Sequence, residues 1–177
     1  HDDELNNVLG GGFFQGSLIL VGGSPGVGKS TLLLQTAASL AAMATPAVGI
    51  GMGKRDEEPD NDYGPVWYVS GEETPEQIAA RAQRLSLVDD ETELYIWQET
   101  HADRLCRQVV QAQKAAAAAT FTDDDDDRTD PRLTTAPCLV VIDSIQTMVC
   151  DAGGASAAGG ITQVRECVGL FLRLAKS

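Results

Sequence analysis

The sequence predicts an α/β fold, a parallel sheet covered by helices on both faces, on the strength of three observations. Short apolar runs alternate with helical stretches along the chain. The runs are apolar throughout instead of alternating with polar residues, the mark of strands buried on both faces. A glycine-rich octapeptide stands where the first run meets the first helix, the junction at which such folds carry phosphate-binding turns.

Taken in order, residues 17–23 (SLILVGG) are an apolar run closed by glycine and predict the first strand. Lys29–Ala44 is rich in Leu and Ala, lacks Pro and Gly, and predicts a helix. Val66–Ser70 (VWYVS) predicts a second buried strand. Thr74-Pro75-Glu76-Gln77 then supplies an N-cap, a proline at the first helical position and a capping-box glutamine, and Ile78, Ala82 and Leu85 continue that helix at helical spacing. Leu94–Gln98 is the third strand, followed by a helix from about Ala102 on which Leu105, Val109 and Ala112 share a face. Leu139–Asp143 (LVVID) is the fourth. Thr162 is placed to cap a last helix, in which Val164, Cys167, Val168, Phe171, Leu174 and Ala175 recur and Arg165, Glu166 and Arg173 point outward.

Two segments break this rhythm and read as surface insertions: residues 45–65, rich in Gly, Pro and acid, and residues 114–137, a run of alanines and then five aspartates at 123–127. Consecutive aspartates cannot converge on one cation as a shaped loop does, so the run reads as a solvated tract without function. Residues 151–160 (DAGGASAAGG) have no periodicity and are expected to be mobile or ordered by something they bind.

At 177 residues and 43% hydrophobic, the chain suits one domain with a real core. No stretch approaches the roughly 18–20 unbroken apolar residues of a membrane span, and the start has neither a basic region nor an apolar signal core. The expectation is a soluble, untargeted chain with no membrane partner. Cys106, Cys138, Cys150 and Cys167 are widely spaced with no CxxC pair, which implies a reducing, intracellular setting and no zinc site. A net charge of -13 repels a polyphosphate backbone, so any nucleic-acid binding needs a local patch or a ring-shaped assembly.

The chemistry begins at Gly23-Ser24-Pro25-Gly26-Val27-Gly28-Lys29-Ser30, which matches GxxxxGK[ST] in the strand-to-helix context the motif requires. Its glycines let backbone N–H groups turn toward one anion, the helix N-terminus adds partial positive charge, and Lys29 reaches the β- and γ-phosphates of ATP. Ser30 offers its hydroxyl to Mg²⁺. A second carboxylate is needed to hold the cation through water, and Asp143, at the end of an apolar strand, is placed to supply it. Glu72 and Glu73 follow VWYVS at the same sheet edge, where one can polarise the attacking water; Glu72 is the candidate base, and the alternative role, favouring the dipole of the helix that follows, falls first to Glu73.

GSLILVGGSPGVGKSTLLLQ, VWYVSGEETPEQIAARAQRL, LVVIDSIQT and TQVRECVGLFLRLAK together resemble, in order, the ATPase core of the RadA/Sms family of DNA-repair proteins, and ELNNVLGGGFFQGS is similar to that family's entry into the loop. SGEE after the second strand with DSIQT closing the fourth is the selective part of the match. The resemblance implies a RecA-like P-loop NTPase core spanning residues 1–177 and apparently incomplete. It implies a motor coupling ATP hydrolysis to single-stranded or branched DNA in recombinational repair by branch migration, working as a homo-oligomeric ring. Carried over by residue, it makes Gly23 to Thr31 the nucleotide loop, Glu72 or Glu73 the water activator and Asp143 the magnesium partner. Residues 151–160 become a DNA-facing loop, with Gln163 and Arg165 flanking the DNA path.

The family's amino-terminal four-cysteine zinc motif, its KNRFG segment and its carboxyl-terminal Lon-protease-like domain are absent from this sequence. So is the strand that in RecA-like folds inserts between the loop strand and the Asp143 strand, so the sheet is expected to have a hole and the isolated chain to be weakly folded. The setting implied is cytoplasmic for a bacterial protein, and a plastid or mitochondrion for a eukaryotic one, towards which the long insertions point. Three other functions stay open: a nucleotide-binding module without catalysis, a KaiC-like or replicative-helicase-like ATPase, and a small-molecule kinase, for which the stretch around Arg81 and Arg84 makes a poor lid.

Overall fold

Val66–Ser70 is buried at every position, and the architecture follows from that strand. A strand turns successive side chains to opposite faces, so Val66 and Tyr68 look one way and Trp67 and Val69 the other. Burying both sets requires a layer of helices on each side. In the computed structural model, which describes residues 2–44, 64–89, 92–119, 135–154 and 156–177, both layers are present. The elements in chain order are α1 (Asp2–Leu9), α2 (Lys29–Ala44), β1 (Val66–Ser70), α3 (Pro75–Arg84), β2 (Leu94–Gln98), α4 (Ala102–Ala119), β3 (Leu139–Asp143) and α5 (Ile161–Ala175). Two single 3₁₀ turns, Ile145–Thr147 and Asp151–Gly153, lie between β3 and α5.

The sheet is parallel in the order β2-β1-β3, with Ser70 level with Gln98 on one side and with Asp143 on the other. On one face Leu34, Ala37 and Ala41 of α2 and Ile78 and Ala82 of α3 pack over Val66, Tyr68 and Val141. On the other, Leu105, Val109 and Ala112 of α4 and Cys167 and Phe171 of α5 pack over Trp67 and Val69. Trp67 meets Trp97 edge to face, ring centroids 5.0 Å apart, a geometry that adds about 0.5–1.5 kcal/mol to their burial. α3 begins as its sequence requires: the Thr74 hydroxyl accepts from Gln77 N, the Gln77 side chain accepts from Thr74 N, and Pro75 takes the first helical position.

Past the strand ends the connections are stitched together. Gly71 N donates to Asp143 O and Glu99 N to Ser70 O, both at 3.1 Å, and Val149 bridges Thr100 and Ala102 in a further parallel pairing. The carboxyl edge of the sheet is therefore a connected rim.

Several expectations are corrected. Residues 17–23 form no ladder with any described segment, so three strands are present among the described residues where four were expected. A run becomes a strand only through a partner's backbone groups, and here Leu18 to Val21 lie open, Leu20 being 73% exposed. Among the described residues β3 pairs with β1 alone. Gly160, not Thr162, occupies the N-cap of α5, which makes no side-chain cap bond. α4 runs on to Ala119, absorbing the start of the second expected insertion, because alanine is the best helix former. The rest of the two insertions, residues 45–63 and 120–134 with the aspartate run, lies outside the described residues. Helix α1 was not read from the sequence. Leu85, expected on the apolar face of α3, ends that helix half-exposed.

All four cysteines are free; Cys150 and Cys167 are buried, Cys106 is half-buried and Cys138 is exposed. Among the described residues no helix is long and apolar enough to cross a membrane.

Candidate nucleotide site

The glycine-rich loop closes on itself before it meets the sheet. Gly26 and Gly28 have φ of 77° and 98°, left-handed backbone that other residues adopt only with strain, and the turn they make delivers the chain into α2 at Lys29. Lys29 Nζ folds back over the loop and donates to Gly23 O and Ser24 O, both at 2.9 Å. Gly23, Ser24, Pro25, Gly26, Val27 and Gly28 are exposed, and Lys29, Ser30 and Thr31 are half-buried where the helix begins. The loop's outer surface is thus free for a ligand.

Ser30 meets the sheet. Its Oγ donates to Asp143 Oδ1 at 3.1 Å, which joins the first turn of α2 to the end of β3. Tyr68, fully buried in β1, donates its hydroxyl to Asp143 Oδ2 at 2.7 Å and approaches Ser30 O at 3.4 Å. Both oxygens of a nearly buried carboxylate are thereby held, one from the loop helix and one from the central strand. Burial, then the hydrogen bond to Asp143 and its charge, push the Tyr68 hydroxyl well above the ordinary tyrosine range, so it stays a donor. Tyr68 was read in the sequence as one more apolar strand residue; the available signal is that a buried tyrosine needs a partner for its hydroxyl.

The two acids after β1 part company. Glu73 turns toward α3 and takes a two-point ion pair from Arg81, Nη2 to Oε2 at 2.8 Å and Nη1 to Oε1 at 3.2 Å. Glu72 turns toward β3, exposed, with its Oε1 accepting from Ser144 Oγ at 2.6 Å. Ser70 Oγ accepts from both backbones, Glu72 N and Glu73 N, and fixes the start of the turn. Arg81 and Ser144 had no assigned role in the sequence reading, because each partnership crosses between elements.

The donor set suits a magnesium-bound nucleotide. Ser30 Oγ and Asp143 Oδ1 are two hard oxygens 3.1 Å apart beside an exposed cradle of glycine amides, and Mg²⁺ binds through few protein oxygens with phosphates and waters filling its shell. Among the described residues no cluster of three or more His, Cys, Asp or Glu forms an all-protein metal cage.

The segment after β3 differs from expectation. Gln163, implied to flank a DNA path, is buried: its Oε1 accepts from Cys150 N at 2.9 Å, and its Nε2 donates to Ser156 O at 3.0 Å and Gly154 O at 3.4 Å. Asp103 also accepts from Asp151 N at 2.8 Å. The described part of residues 151–160 is therefore ordered by the chain's own residues, and Arg165 alone of the implied pair is at the surface.

A parallel sheet between two helical layers, with a glycine loop, its lysine and a strand-end aspartate at one sheet edge, defines a RecA-like P-loop nucleotide-binding core. The AAA domain family matches residues 2–176, and the chain belongs to that family. Within it, the chain is similar to one stretch of DNA repair proteins named RadA. It is 37% identical over 174 residues to the DNA repair protein RadA of Halalkalibacterium halodurans. The corresponding figures are 36% over 173 residues for RadA of Pseudomonas aeruginosa and 38% over 173 for RadA of Listeria monocytogenes. Each alignment covers 98% of this chain and 28% of the relative, so the chain spans rather more than a quarter of the length of these proteins.

Proposed function

We propose that this chain binds ATP with Mg²⁺, hydrolyses it, and serves as the motor core of a protein acting on single-stranded or branched DNA in recombinational repair. The single observation that carries the ATPase reading is the convergence of Lys29, Ser30, Asp143 and Glu72 from three separate elements on one sheet edge. The names of the relatives, DNA repair proteins, support the DNA part of the reading. Assembly as a homo-oligomeric ring and branch migration follow from the same resemblance.

In this reading the amides of Gly23, Ser24, Pro25's neighbours and Gly26 to Thr31 wrap the phosphates, and Lys29 leaves its carbonyl partners for the β- and γ-phosphate oxygens. Ser30 and Asp143 are the residues that would hold the cation, Ser30 through its hydroxyl and Asp143 by way of water. Bound there, the cation would neutralise charge on the phosphate oxygens. Glu72 accepts a proton from water as the water oxygen bonds to the γ-phosphorus and the β–γ bridging P–O bond breaks, leaving ADP and phosphate. Glu73 is committed to Arg81 and keeps a structural part.

Lys29→Ala tests the reading: affinity for Mg-ATP is expected to fall on the order of a hundredfold with the fold retained, since charge-assisted phosphate contacts are lost. A variant that holds ATP as firmly as the parent sinks it. Single-stranded DNA is expected to stimulate turnover in the intact protein. A second reading, nucleotide binding without turnover, draws on the unpaired run 17–23 leading into the loop; tight ATP binding with no phosphate release would select it.

A further inference from the structure

β1 and β3 run in register with Ser70 beside Asp143, so the residues that follow them, Gly71-Glu72 and Ser144, leave the sheet side by side. Gly71 N closes the last rung on Asp143 O at 3.1 Å. The chain after β3 then turns back in the single 3₁₀ turn Ile145–Thr147, and Ser144 O accepts from both Thr147 N at 3.2 Å and Thr147 Oγ1 at 2.7 Å. The Thr147 side chain fills the space over Gly71: a Cβ on Gly71 would collide with Thr147 Oγ1. Gly71, Glu72, Ser144 and Thr147 thus form a closed ring, in which the backbone carrying Ser144 is gripped and the SGEE and DSIQT segments each need the other. One side chain in the ring is held only at its tip. Glu72 is exposed, and among the described residues the Ser144 hydroxyl donates to its carboxylate at 2.6 Å.

We infer that Ser144 is a positioning residue for Glu72, its hydroxyl fixing Oε1 of the carboxylate so that Oε2 faces the nucleotide site as the proton acceptor. A hydrogen bond from a hydroxyl to a carboxylate at this length is charge-assisted and directional. An exposed glutamate has three rotatable bonds, and the ring confines it by anchoring its partner rather than by packing around it. The inference rests on the reading of Glu72 as the base.

The test uses the intact protein, with ATP affinity and single-turnover hydrolysis measured separately. Ser144→Ala is expected to lower the hydrolysis rate roughly ten- to a hundredfold, the scale of a misplaced catalytic group, while ATP affinity stays within about twofold. Ser144→Cys, nearly the same shape but a weak donor, is expected to fall in the same direction, and Ser144→Thr, which keeps the hydroxyl, to retain most of the rate. In a Glu72→Gln background, Ser144→Ala is expected to cost nothing further, because the two residues act as one unit. Full turnover in Ser144→Ala, or its full loss repeated on top of Glu72→Gln, overturns the role of Ser144. Undiminished turnover in Glu72→Gln alone overturns the base assignment instead, so the two failures are told apart.

Discussion

Tyr68 shows how a single side chain can belong to core and site at once. Its ring lies between α2, α3 and the sheet, and its hydroxyl ends on the carboxylate of Asp143. Tyr68→Phe keeps the ring and removes the donor, leaving one oxygen of a nearly buried carboxylate short of a partner, a loss of about 1–3 kcal/mol. The urea midpoint is expected to drop accordingly, and turnover to require more Mg²⁺ because Asp143 is no longer held in one orientation; an unchanged magnesium titration would contradict this. Glu72 and Glu73 make the complementary case. The sequence preferred Glu72 as the base without excluding Glu73, and the position of Arg81 in α3, eight residues past Glu73, is what parts the two side chains.

Among the elements, helix starts divide by where their caps come from. α3 was readable to the residue because Thr74, Pro75 and Gln77 act within one turn of each other. α5 was not, because Gln163 is drawn inward across the preceding loop, and Gly153 has no room for a Cβ beside the Gln163 amide. Gln163→Ala removes three hydrogen bonds from buried or half-buried groups and is expected to cost about 1–3 kcal/mol. Hydrogen exchange should show the amides of Cys150, Gly153 and Gly154 losing protection while those of β1 keep theirs. If the loop amides are protected as before, the latch role is wrong.

For the molecule as a whole, stability is unevenly spread. β1, paired on both sides and buried throughout, is the expected slow-exchange core, and the amides of Leu18 to Val21, with no ladder partner among the described residues, are expected in the fastest class. Comparable protection in the two segments would refute that. Stability also has an alkaline limit. Burial, then the hydrogen bond and charge of Cys150, push the Cys167 thiol up to about 12. A raised folded value means the unfolded chain loses this proton first, near the ordinary thiol value of about 8.5, so the contribution is whole below that pH and is lost as pH rises toward 12. Urea midpoints at pH 7 and pH 10 should fall more steeply for the parent than for Cys167→Ala.

What the sequence determined by itself is what depends on neighbours along the chain: three of the strands, the phosphate loop, the capped start of α3, and acids placed at strand ends. An apolar run marks a candidate strand, glycines and a lysine at fixed spacing mark a P-loop, and a cap takes one turn of residues. Tertiary structure decided the rest. Which acid faces the nucleotide side, what a buried tyrosine hydroxyl touches and whether an apolar run finds a partner depend on the register that sets Ser70 beside Asp143, residues far apart in the chain. Partnerships of that kind are made by packing between elements, and no local pattern encodes them.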